Sequence, residues 1–228
     1  MIDTAAIASN ITNIESNLNR YGASISKNLV AISKKQDSSA ILFCYQKGVP
    51  RFGENYVQEL IGKHTELLKE CPEIEWHFTG HLQSNKVKYI APFIHTIQTV
   101  DSIKLAKEIS KEAVKNHRNI TIFIQVNTSK EYSKSGVSPE EVFTLLQEIV
   151  QLPNLTVDGL MTIPIALDDN EIELRKEFKS MVVLKDKINT DFEITLHHLS
   201  MGMTSDYEIA LQESASLVRI GTGIFGER

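Results

Sequence analysis

The sequence predicts an α/β protein: a single (β/α)8 TIM barrel over residues 1–228, with an extra N-terminal helix ahead of the first strand. Three observations carry that expectation. Strand-like apolar runs alternate with helical segments eight times, with no linker, low-complexity tract or composition break between them. The run 119–126 is β-branched and apolar on both faces, as in a parallel strand covered by helices. The first βα turns carry no Gly-x-Gly-x-x-Gly, which leaves an open dinucleotide-binding sheet with little support.

Each element has its own warrant. Ile7, Ile11, Ile14 and Leu18 recur at helical spacing within 3–21, so the chain opens with an amphipathic helix. Asn28-Leu29-Val30-Ala31-Ile32-Ser33-Lys34 is a short apolar run that reads as a buried strand with a charge at its carboxyl end. Ser38 or Ser39 is placed to cap a helix through Tyr45, stopped by Gly48 and Pro50. A short strand or turn at 51–55 precedes a helix over 56–70, and a strand over 74–78 leads through Thr79-Gly80-His81 to a helix over 84–91. A strand over 93–100 is followed by a helix that Asp101 would cap. Beyond 119–126 comes a long polar loop, and Ser138 with Pro139 then starts the next helix. Strands over 155–162, 193–199 and 217–220 and helices over 171–189 and from Ser205-Asp206 complete the pattern.

Composition narrows the function classes. A 42% hydrophobic and 23% charged chain of 228 residues is ordinary for a globular protein. Its net charge of −5 argues against nucleic-acid or anionic-membrane partners. Cys44 and Cys71, far apart, suggest neither a disulfide framework nor a thiolate zinc site. The amino terminus lacks a basic region before an apolar stretch, and no apolar run is long enough to span a bilayer. A cytoplasmic setting is expected.

In a barrel, function sits where the strands end. Lys34 shares the face of Val30 and Ile32, so its amine either projects into the mouth as a carbonyl-trapping nucleophile or points into solvent. Asn55, in Phe52-Gly53-Glu54-Asn55-Tyr56, either faces the mouth or caps a helix. The seventh and eighth strands run into Ser200-Met201-Gly202-Met203-Thr204 and Arg219-Ile220-Gly221-Thr222-Gly223. Small and hydroxyl residues there suit a phosphate cradle, the alternative being plain tight turns. Arg219 shares the interior register of Leu217, where a guanidinium is costly without a polar or anionic partner. The histidines offer no metal pair by spacing: a strand end and a glycine turn separate His77 from His81, and the adjacent His197 and His198 face opposite sides of a strand. No metal is expected. An amine beside a phosphate cradle suits a phosphorylated carbonyl compound, pyridoxal 5′-phosphate (PLP) or a sugar-phosphate aldehyde.

The motifs Val30-Ala31-Ile32-Ser33-Lys34, Phe52-Gly53-Glu54-Asn55-Tyr56-Val57-Gln58-Glu59 and Trp76-His77-Phe78-Thr79-Gly80-His81-Leu82-Gln83-Ser84-Asn85-Lys86 resemble those of the pyridoxal phosphate homeostasis protein family. So do Ser133-Lys134-Ser135-Gly136, Gly159-Leu160-Met161-Thr162-Ile163-Pro164, Leu199-Ser200-Met201-Gly202-Met203 and Val218-Arg219-Ile220-Gly221-Thr222-Gly223-Ile224-Phe225-Gly226. These segments follow in order along essentially the whole chain. The family's barrel is related to that of alanine racemase, the type III fold of PLP proteins. The resemblance implies PLP held as an internal aldimine on Lys34. The phosphate would rest on Ser200, Gly202, Gly221 and Thr222 with Met201 near it, Arg219 would face the pyridine nitrogen, and Asn55 would lie beside the cofactor. Lys35-Gln36-Asp37 departs from the threonine and proline common in the family at this place.

The resemblance further implies a non-catalytic, monomeric PLP holder that buffers the cofactor or delivers it to PLP-dependent apoenzymes. An amino-acid racemase is the alternative, and a Schiff-base barrel aldolase a more distant one. A racemase takes its second base from a partner subunit's extra domain, and the chain ends at Arg228, just after the last strand, where no room for that domain is expected. A guanidinium at the ring nitrogen would also weaken PLP as an electron sink.

Overall fold

Aliphatic and β-branched runs form eight strands: β1 (Leu29–Ile32), β2 (Arg51–Glu54), β3 (Glu75–Phe78), β4 (Thr96–Val100), β5 (Ile120–Gln125), β6 (Leu155–Met161), β7 (His198–Ser200) and β8 (Val218–Ile220). The computed structural model describes residues 2–129, 135–165 and 170–227. All strand pairs are parallel, in the order β7-β6-β5-β4-β3-β2-β1-β8. The two ends of that order meet. Ser200 bridges Leu217 in the parallel sense, and the Met201 N–H donates to the Leu217 carbonyl at 3.1 Å, so the sheet closes on itself. The eight-stranded barrel read from the sequence is the observed architecture.

Helices α1 (Thr4–Arg20), α2 (Ile25–Asn28), α3 (Ser38–Gln46), α4 (Val57–Leu67), α5 (Val87–Ile90), α6 (Ile103–Lys115), α7 (Glu141–Ile149), α8 (Glu171–Asp191), α9 (Tyr207–Gln212) and α10 (Thr222–Phe225) accompany the strands, with a 3-10 turn at Ser84–Lys86. Among the described residues, no helix is long and apolar enough to cross a membrane. Helix α1 buries Ile7, Ile11, Ile14 and Leu18, the stripe its spacing predicts. It packs on α3 and α10, and its Asn10 side-chain amide donates to the Ile224 carbonyl at 3.0 Å. The added helix thereby braces the segment that follows β8.

The apolar core is split. The large cluster lies between sheet and helices, and a small one, Val30, Phe123, Met161 and Leu217 with Ile32 against it, fills part of the barrel interior. Much of the remaining interior is polar. Ser200 on β7 donates to Gln98 on β4 at 2.6 Å, a bond between strands that are not neighbours and that therefore crosses the barrel. Gln98 reaches His77 on β3 at 2.7 Å, and Arg219 on β8 donates to Ser200 at 2.9 Å. Buried aliphatic layers are the usual filling. Here a chain of four polar side chains replaces part of them.

Several boundaries differ from the sequence reading. Strand β1 stops at Ile32, so Lys34 lies in the turn beyond it. The N-cap positions before α3 and α6 are Asp37 and Ser102, and Ser102 Oγ accepts from the Leu105 N–H. Asn55 does not cap α4, whose N-cap is Tyr56. Ser138 and Glu141 bond reciprocally, yet α7 begins only at Glu141. Strand β7 starts at His198; ahead of it the Leu196 N–H donates to Asn189 Oδ1 at 2.7 Å and the His197 N–H to the Asp158 carbonyl at 2.9 Å. His197 precedes the strand, so alternation does not separate it from His198: both rings approach Asp158, at 2.6 and 3.6 Å. Residues Ser133 and Lys134 of the family motif lie outside the described residues.

Candidate functional site

The ends of consecutive strands build one cavity of about 680 Å³. Ile32 and Lys34 come from β1 and the turn beyond it, Asn55 follows β2, Thr79 follows β3, Ile163 follows β6, and Met203, Thr204 and Ser205 follow β7. Arg219 of β8, Gly221, Thr222 and Glu227 complete the lining. Lys34 and Gly221 thus follow adjacent strands, since β1 pairs with β8.

Lys34 is half-buried, and the residues on both sides of it are pinned. The Ser33 N–H donates to the Gly53 carbonyl at 3.0 Å, one bond past the strand. Ser33 Oγ donates to Glu54 Oε1 at 2.6 Å, and the Ser33 carbonyl accepts from Lys63 Nζ at 2.6 Å. The Lys35 N–H donates to Glu59, and Lys35 itself adopts a left-handed φ of 61°, a cost that this clamp sustains. Lys63 Nζ also binds Glu54 Oε1 at 2.7 Å and Glu59 Oε1 at 2.6 Å. Burial raises the Glu54 carboxyl pKa, with the Lys63 and Ser33 hydrogen bonds pulling it down. None of Glu54, Glu59 and Lys63 stands out by sequence spacing, because their roles appear only once β2 and α4 face the turn.

Arg219 is 4% exposed. Nη1 donates to Ser200 Oγ at 2.9 Å and Nη2 to the Thr162 carbonyl at 2.8 Å. Burial lowers its pKa to about 10, against the opposing charge of Asp206, so it is cationic at neutral pH. Asn55 Oδ1 accepts from Thr79 Oγ1 at 2.9 Å, which sets its orientation at the rim. Gly80 allows this approach: a Cβ there would lie 2.2 Å from the Asn55 carbonyl oxygen.

The segments after β7 and β8 interlock. Thr222 Oγ1 and the Gly223 N–H each lie 3.3 Å from Thr204 Oγ1. Asp206 accepts from the Met203 N–H at 2.5 Å and fixes that turn. Gly202 sits at φ 93°, where a Cβ would be 2.5 Å from the Ala210 Cβ. Of the residues that the sequence singled out, Lys34, Asn55, Arg219, Gly221 and Thr222 line the cavity. Ser200, Met201 and Gly202 do not: Ser200 lies under Arg219, Met201 is packed in the main core, and Gly202 makes the close turn. Met203, Thr204 and Ser205 line it instead. The hydroxyl pair Thr204-Ser205 next to the glycine turn was the sequence signal for them.

A family model, the N-terminal domain of alanine racemase, matches residues 2–228. The pyridoxal phosphate homeostasis protein of Vibrio alginolyticus is 43% identical over 202 residues, covering 88% of this chain and 86% of its own. The chain belongs to this family. The human pyridoxal phosphate homeostasis protein is 37% identical, over 90% of this chain and 78% of its own. PipY of Synechococcus elongatus PCC7942, solved with PLP bound, superposes with a TM-score of 0.85 at 32% identity, covering 96% of this chain and all of that one. An alanine racemase from Clostridium difficile shares the fold at 15% identity, with a TM-score of 0.74 over 60% of its length.

Proposed function

We propose that this protein holds PLP in the Lys34 cavity and serves intracellular PLP homeostasis by buffering or delivering the cofactor rather than by turning over a substrate. The observation that carries the reading is one cavity lined both by a lysine amine and by a buried arginine whose hydrogen-bond partners among the described residues are neutral. The PLP-bound PipY structure and the shared name of the curated relatives support it.

PLP supplies an aldehyde that condenses reversibly with a primary amine, and a ring that takes up electrons. Lys34 presents the amine, and the clamp from Glu54, Glu59 and Lys63 fixes the backbone that carries it. Gly221 and Thr222, with Thr204 against them, seat the phosphate at the start of α10, the usual place for phosphate in this fold. Ser200 instead holds Arg219, Gly202 makes the close turn that leads to Thr204, and Met201 packs in the core. Arg219, still cationic at neutral pH, would face the ring nitrogen and disfavour its protonation. Asn55 borders the ring. A monomer in the cytoplasm, passing PLP to apoenzymes, completes the reading. Its test is incubation of the PLP-loaded protein with L- and D-alanine while optical rotation is followed. The rotation stays constant if the protein is a holder, and steady racemisation would sink that reading.

A further inference from the structure

At the amino-terminal end of the barrel, away from the Lys34 cavity, Glu75, His77 and His95 each offer one ligand atom, and the three atoms lie within 4.8 Å of one another. Glu75 opens β3 and His95 immediately precedes β4. His77 is 2% exposed; its Nδ1 is engaged by Gln98, while its Nε2 is buried without a hydrogen-bond partner. A buried polar atom left unsatisfied in a native fold calls for an explanation. We propose that Glu75, His77 and His95 form a binding site for one divalent cation of the zinc class.

Two imidazoles and a carboxylate leave a fourth position for water and select zinc-like ions over magnesium or calcium, which prefer all-oxygen shells. Each ligand has an outer partner that orients it, as metal ligands commonly do. His77 rests on Gln98, the His95 Nδ1 lies 2.9 Å from Thr96 Oγ1, and Glu75 Oε2 is held by Arg51 Nε at 2.6 Å. Arg51 is tied to the Ser26 carbonyl at 2.8 Å and leaves Glu75 Oε1 available. Its positive charge and that of Arg118 oppose a cation, while the negative charges of Glu75 and, more weakly, Asp158 act on His95 in the opposite sense. Burial keeps His77 neutral, the form a metal needs.

Two local adjustments complete the site. With the Gln98 amine facing Nδ1, the His77 proton sits on Nε2. Reversing the amide exchanges its O and N in place, lets Nδ1–H donate to Gln98 and opens the Nε2 lone pair, with Ser200 Oγ then accepting from the Gln98 amide N–H instead of donating to its oxygen. Tetrahedral bonds of about 2.1 Å need donors roughly 3.4 Å apart. The partly exposed Glu75 and the exposed His95 therefore swing inward while His77 stays.

The test is calorimetric titration of the tag-free full chain with zinc chloride, repeated with excess magnesium. One zinc per chain is expected, unaffected by magnesium. His95→Ala and Glu75→Gln, both at the surface, should each weaken it by at least about tenfold, while His197→Ala leaves it unchanged. Cobalt in place of zinc should give the visible absorption of a tetrahedral site. Absence of zinc binding overturns the assignment, as does wild-type affinity in His95→Ala. Loss of binding in His197→Ala alone would place the ion on Asp158 and overturn it as well.

Discussion

Among the described residues, two cations are buried under the mouth of this barrel, and they are treated differently. Lys63, 6% exposed, is met by two carboxylates and a carbonyl at 2.6–2.7 Å, and its charge is fully answered by the protein. Arg219, 4% exposed, meets only a hydroxyl and a carbonyl, and among the described residues no carboxylate lies within ion-pair distance. A buried charge answered by its own chain is a structural device. One hydrogen-bonded to neutral groups, with its nearest opposing charge beyond ion-pair distance, keeps electrostatic reach for a ligand at the wall of a cavity. In the proposed reading, the contrast separates the residues that hold Lys34 in place from those that would meet the ligand it captures.

The largest effect is expected on the structural side. Lys63→Met leaves Glu54 buried without its cation and should cost about 3–5 kcal/mol in urea unfolding. Adding Glu54→Gln should recover much of that loss, because removing both charges is milder than orphaning one. Arg219→Met should cost less, about 1–3 kcal/mol from the lost bonds to Ser200 and Thr162, while PLP retention through gel filtration drops sharply. Equal stability losses in the two variants, with retention intact, would erase the distinction. Ser33→Ala removes one bond to the Glu54 carboxylate and should cost about 1.5 kcal/mol.

The smallest effect is a pH slope. Burial, the larger influence, raises the Glu54 pKa above its ordinary 4.5, so above that pH the native state binds more protons than the unfolded chain. Stability should therefore fall as pH rises from about 4.5 through the raised value, and Glu54→Gln should flatten this part of the profile. A wild-type slope of the opposite sign would show that Lys63 pairing outweighs burial.

What was legible in the sequence follows from the range of the interactions. Helix α1 and strand β5 announce themselves by period, because Ile7, Ile11, Ile14 and Leu18 share one face and residues 120–125 are apolar on both. Arg219 was legible as a strand-end residue in an inward register, whereas Lys34, read as closing its strand, lies in the turn beyond Ile32 and was legible only as an amine near a strand end. The caps at Asp37 and Ser102 were missed by a single residue, since neighbouring polar residues compete for a cap and tertiary packing chooses between them. Lys63 was hidden because it sits on a helix pattern that reads as solvated, and only the facing carboxylates explain its burial. The barrel-crossing chain from Arg219 through Ser200 and Gln98 to His77 joins four strands, so no local pattern could disclose it.

The central claim is that Lys34 captures PLP. Borohydride reduction of the PLP-loaded protein, followed by proteolysis and peptide mass mapping, tests it most directly. The account predicts one pyridoxyl group per chain, on Lys34, and none in Lys34→Ala at unchanged fold by circular dichroism. A pyridoxyl group on another lysine, with Lys34 unmodified, would contradict it.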